Sequence, residues 1–192
     1  MKKIIFLLVI FFNVLANAHA EEIKRIVVGK EDAKITIIAF ESLTCSHCAN
    51  FHKNVFPKLK EEYLDTGLAK IEFRHFPLDI AAFNASKVAQ CKNDGNLDIL
   101  ESLYLNQQKW VKGSTVEEAN NNLQIFLKSK GFDVDFESCV SNKKIEDFVL
   151  NDRIDGAKNF KIQATPTIII NNKKFEKTLN YKNLKKALEK LI

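Results

Sequence analysis

The chain has 192 residues, 46% hydrophobic and 28% charged, with a formal net charge of +5. That suits one ordinary domain with a buried core and excludes a low-complexity or disordered chain. Its six glycines and three prolines are few, which favours helices over a many-turned all-β fold. Lysines are scattered among glutamates as on a solvated surface, so the charge points to neither nucleic acid nor lipid.

Residues 1–20 read as a leader. Lys2 and Lys3 precede an apolar run from Ile4 to Phe12, and Ala18-His19-Ala20 offers small residues where a signal peptidase cuts. The run is too short to span a bilayer, which takes roughly 20 apolar residues. Cleavage after Ala20 would remove two lysines and no acid, lowering the net charge from +5 to +3. The expected product is an exported protein without stable membrane insertion, residues 21–192.

In chain order, residues 26–29 form a short strand. Residues 35–40 (ITIIAF) are continuously apolar or β-branched, as in a buried central strand. Apolar residues then recur at helical spacing from Phe51 to Tyr63. Thr44 is placed as N-cap, and Pro57 should kink this helix rather than end it. Residues 68–76 alternate as a second strand that Pro77 ends. A helical tract from about 80 to 160 follows, broken at Asn93-Asp94-Gly95, Gly113-Ser114 and Gly131. Residues 167–171 and 173–177 read as a hairpin, and residues 181–191 as an amphipathic helix. Strand, helix, strand makes a parallel unit, so a layered α/β fold with a helical insertion is expected.

All four cysteines lie after the leader. An even number in an oxidising compartment suggests two disulfides. The two-residue gap in Cys45-Ser46-His47-Cys48 makes one pair, and Cys91 with Cys139 follows by elimination. The alternative for the second pair is two separate buried thiols.

Cys45 stands where a buried strand meets a helix. Backbone N–H groups at a helix start have no internal partners and carry partial positive charge, so a thiolate there is stabilised and its pKa falls. Cys48, one turn on and more buried, is placed to resolve a mixed disulfide on Cys45. The His47 imidazole is expected to donate a hydrogen bond or charge to that thiolate and make the disulfide more oxidising. Zinc held by Cys45, His47, Cys48 and His52 is the competing reading. One helix cannot aim four such closely spaced side chains at a tetrahedral centre, so no metal is expected. Trp110, the sole tryptophan, is expected in the core of the insertion.

The segment from Gly29 through Cys48, Phe51, Pro57, Phe76-Pro77-Leu78 and Lys161 through Asn171, with Ala164-Thr165-Pro166-Thr167, resembles the DsbA-type thiol-disulfide oxidoreductases. The resemblance implies a thioredoxin-like fold with the insertion at about 80–160. It implies a cis Pro166 beside the active disulfide, with Thr165 pairing to an extended substrate. It also implies a monomer without cofactor, periplasmic or secreted, that oxidises reduced or unfolded exported proteins and is itself reoxidised by a quinone-linked membrane oxidase of the DsbB type. Three departures stand out. Ser46 replaces the family's frequent proline, and Ala164 its common glycine. Ala39 occupies the position six before Cys45, where thioredoxin-like proteins often bury an acid, so the Cys48 proton must pass to water or to Glu41. Two other functions compete. An isomerase or reductase would use the same pair, but isomerases of the superfamily usually carry a dimerisation domain, for which the about 14 residues between Ala20 and Ile35 are too few. A chaperone-like binding module would keep its disulfides as structure alone.

Overall fold

The computed structural model describes residues 22–192. The proposed leader lies outside them. Strands β1 (Ile26–Gly29), β2 (Ile35–Glu41), β3 (Ala69–His75), β4 (Thr167–Ile170) and β5 (Lys173–Lys174) form one sheet in the order β1-β3-β2-β4-β5. β2 and β3 run parallel, whereas the β1–β3, β2–β4 and β4–β5 pairs are antiparallel. β2 is therefore central, as its unbroken apolar run requires.

Because side chains alternate along a strand, β2 feeds two cores. Ile35, Ile37 and Ala39 join the larger cluster with Phe51, Phe56, Ile71 and Phe73. Ile38 and Phe40 join Phe76, Ile162 and Ile169 on the other face. That face is covered by helix α8 (Lys143–Lys158). Gly156 of α8 explains itself there, since a Cβ would lie 2.9 Å from the Phe40 ring and 3.0 Å from Phe76. Arg74–Asp155 and Arg25–Asp152 ion pairs at 2.5 and 2.7 Å fasten α8 to β3 and to the residue before β1.

The helix after the cysteines differs from expectation. It divides into α1 (Ser46–Asn54), α2 (Phe56–Leu59) and a π-helical turn over Lys60–Leu64. Pro57 falls within the first two positions of α2, where a missing N–H costs nothing, so the chain breaks at Val55 instead of bending through Pro57. The insertion comprises α3 (Ile80–Gln90), α4 (Asp98–Leu105), α5 (Gln107–Trp110), α6 (Val116–Ser129), α7 (Phe136–Ser141) and α8. Trp110 is buried in it and donates its indole N–H to Leu103 O. Helix α9 (Tyr181–Leu188) closes the chain, burying Leu184 and Leu188.

Candidate active site

Cys45 is set by the turn that follows β2. Its N–H donates to Ser42 O at 3.0 Å. Gln107 reaches across from the insertion, and its Nε2 donates to Leu43 O at 2.8 Å and Cys45 O at 3.0 Å. Thr44 does not cap α1. Its hydroxyl donates to Asp79 Oδ2 at 2.6 Å, and Asp79 caps α3 through Ala82 N. Cys45 itself holds the N-cap position, with no side-chain cap bond, so the first amides of α1 are left for its sulfur.

Cys45 and Cys48 are free thiols. Cys45 is half-buried and Cys48 fully buried. A hydrogen bond from the Cys48 thiol, aided by Thr165 and the N–H groups of Cys48 and His47, brings Cys45 from the ordinary thiol range down to about 5 against the opposing effect of burial. Burial pushes the Cys48 thiol far up, with further contributions from the hydrogen bond to Cys45 and the charge of Glu41. The His47 imidazole is exposed and makes no side-chain hydrogen bond among the described residues. Its backbone N–H is what reaches the thiolate.

The other wall comes from the far end of the sequence. The Thr165–Pro166 peptide bond is cis. The Cys45 thiol donates to Thr165 O at 3.3 Å. Thr165 Oγ1 is buried without a partner among the described residues.

One pairing was not legible beforehand. Glu41 is 3% exposed and faces inward, where His52 Nε2, fully buried, lies 2.8 Å from its Oε2. The His52 ring stacks on Tyr104 with centroids 4.1 Å apart. Glu41 Oε1 and His52 Nδ1 have no partner among the described residues. His52 is thus paired with Glu41. Among the described residues, no three His, Cys, Asp or Glu side chains gather as metal ligands would.

A family model described as Thioredoxin matches residues 21–190. The chain belongs to the thioredoxin family. Wolbachia pipientis alpha-DsbA1 is similar in structure, with a TM-score of 0.77 and 30% identity over 87% of this chain and 90% of that one. BdbD from Bacillus subtilis in its oxidised form has a TM-score of 0.71 at 26% identity, covering 87% and 92%. In sequence, the Bacillus subtilis disulfide bond formation protein D is 29% identical across 85% of this chain and 75% of its own length. A Rickettsia bellii protein named for protein-disulfide oxidoreductase activity is also 29% identical, and there the chain spans 64% of the relative's length. These likenesses make it a DsbA-type, thioredoxin-fold thiol-disulfide oxidoreductase.

In this thioredoxin-family chain the insertion carries a second sulfur pair. Cys91, at the end of α3, is bonded to Cys139 of α7, with Cα atoms 5.4 Å apart. Lys87 Nζ donates to Val140 O beside it at 2.5 Å. No helix among the described residues is long and apolar enough to cross a membrane.

Proposed function

We propose that this thioredoxin-family protein is an exported oxidase that places disulfides in newly exported proteins through Cys45-Ser46-His47-Cys48. The observation that carries the reading is the placement of Cys45 at the open start of α1, against Thr165 beside cis Pro166 and one turn before buried Cys48, which brings Cys45 to about 5 and pushes Cys48 up. A thiolate held that low stabilises the reduced pair, and a stable reduced pair makes its disulfide a strong oxidant.

A substrate thiolate attacks Cys45 Sγ of the oxidised pair. The Cys45–Cys48 bond breaks, a Cys45–substrate bond forms, and Cys48 leaves as a thiolate that takes up a proton. A second substrate thiolate then attacks the substrate sulfur, closing the substrate disulfide and releasing Cys45 as the thiolate that the helix start favours. Two electrons have passed to the protein. A quinone-linked membrane oxidase accepts them when Cys48 loses its proton and the pair re-forms. Glu41, paired with His52, is the group proposed to exchange that proton. Its inward facing and its effect on Cys48 support this. Thr165, beside cis Pro166, offers its backbone to an extended substrate, and its carbonyl lies next to the nucleophile.

Redox titration of the protein against glutathione, with alkylation reporting Cys45, tests this. A couple more oxidising than glutathione supports the oxidase. A couple on the reducing side, near thioredoxin's about −270 mV, would make the protein a reductase.

A further inference from the structure

A groove of about 290 Å³ has Ser46, the residue after Cys45, in its lining. One wall is the outer face of α1, with Ser46, Asn50 and Lys53. Tyr104 lies at its base, and the α4–α5 junction supplies Gln107 and Lys109. No residue lining it is Asp or Glu. Its polar side chains are otherwise hydroxyl, amides and two ammonium groups. Lys53 and Lys109 are exposed, and neither meets a carboxylate within ion-pair distance among the described residues. The first turn of α1 adds no acid.

The groove is also fixed relative to the nucleophile. Gln107 is part of its wall, and the same side chain holds Leu43 O and Cys45 O. A segment lying in the groove therefore touches the same side chain that holds the Cys45 turn. We infer that this groove receives the stretch next to the reactive cysteine of a protein substrate, and that it favours stretches bearing Asp or Glu. The inference rests on the disulfide-exchange reading above and names the substrate class of that site. Exposed charges of this kind act mainly on encounter and orientation, so the preference is a rate effect and depends on salt.

The test uses the oxidised protein and three synthetic peptides of equal length. Each has one cysteine, flanked by Glu, by Gln or by Lys. Neighbouring charges alter a peptide's own thiol, so each rate of reaction with the protein is divided by that peptide's rate with glutathione disulfide. The normalised rates should fall in the order Glu, Gln, Lys, with about tenfold between the extremes at low salt. The gap should close in molar salt, where charges are screened beyond about 3 Å. A Lys53→Glu, Lys109→Glu double variant should invert the order. Equal normalised rates, or an order that the double variant leaves standing, overturn the acidic preference while exchange itself stands. Failure of all three peptides to react overturns the exchange reading, and this inference with it.

Discussion

At the scale of single residues, the two cysteines differ because their surroundings differ. Cys45 meets unpaired amides at a helix start, whereas Cys48 is enclosed with Glu41 nearby. Cys48→Ser should therefore accumulate mixed disulfides with substrates, and Cys45→Ser should not. Equal trapping by both, seen on non-reducing gels, would reverse or void the assignment. Glu41→Gln keeps a hydrogen-bonding partner for His52 but cannot exchange a proton. Stopped-flow measurement of mixed-disulfide resolution by Cys48 should show a loss of about tenfold or more at neutral pH, shrinking as pH rises and solvent hydroxide takes over. An unchanged rate and pH profile would leave the proton to water. The cysteine pair was legible in the sequence as a local pattern, whereas Thr165-Pro166 stood out only through the resemblance to the DsbA-type proteins, since nothing local marks that proline as cis. The Glu41–His52 pair was not legible, since a Glu at the end of a strand and a helix His 11 residues on meet only once β2 and α1 pack. Thr44 shows the same limit from the other side, because its local role as a cap lost to a carboxylate 35 residues away.

At the scale of elements, the insertion is both held to the active-site turn and braced within itself. Gln107 bridges 62 and 64 residues of sequence to reach Cys45 and Leu43, a contact that no spacing rule foretells. The α3–α7 disulfide closes a span of 48 residues. Constraining the unfolded chain over such a loop stabilises the fold by about 2–4 kcal/mol. A Cys91→Ala, Cys139→Ala double variant should unfold at lower denaturant with an m-value that reflects the looser denatured state. An unchanged midpoint would mean that the bridge contributes nothing net. The strand positions and the parallel β2–β3 unit were legible, because periodicity acts within short segments, but the order of the strands in the sheet was not. The break at Val55 was not, because Pro57 satisfies the rules for bending a helix and for opening a new one equally well.

At the scale of the whole molecule, the depressed Cys45 thiol couples folding to pH. In the reduced protein its proton is lost near 5 when folded and at roughly 8.5 when unfolded. Between those values the unfolded chain binds more protons, so stability rises with pH, and the contribution is lost as pH falls through 5. Above that window the raised Cys48 works in the opposite direction. Under reducing conditions the stability difference between wild type and Cys45→Ser should therefore grow from pH 5 to about 8. A difference flat in pH would mean that Cys45 titrates alike in both states. The most direct measurement is the pH dependence of Cys45 itself, followed in the reduced protein by its alkylation rate and by thiolate ultraviolet absorbance. A midpoint near 5 is the expected result. A midpoint in the ordinary thiol range, roughly 8.5, would contradict the assignment of Cys45 as the activated nucleophile.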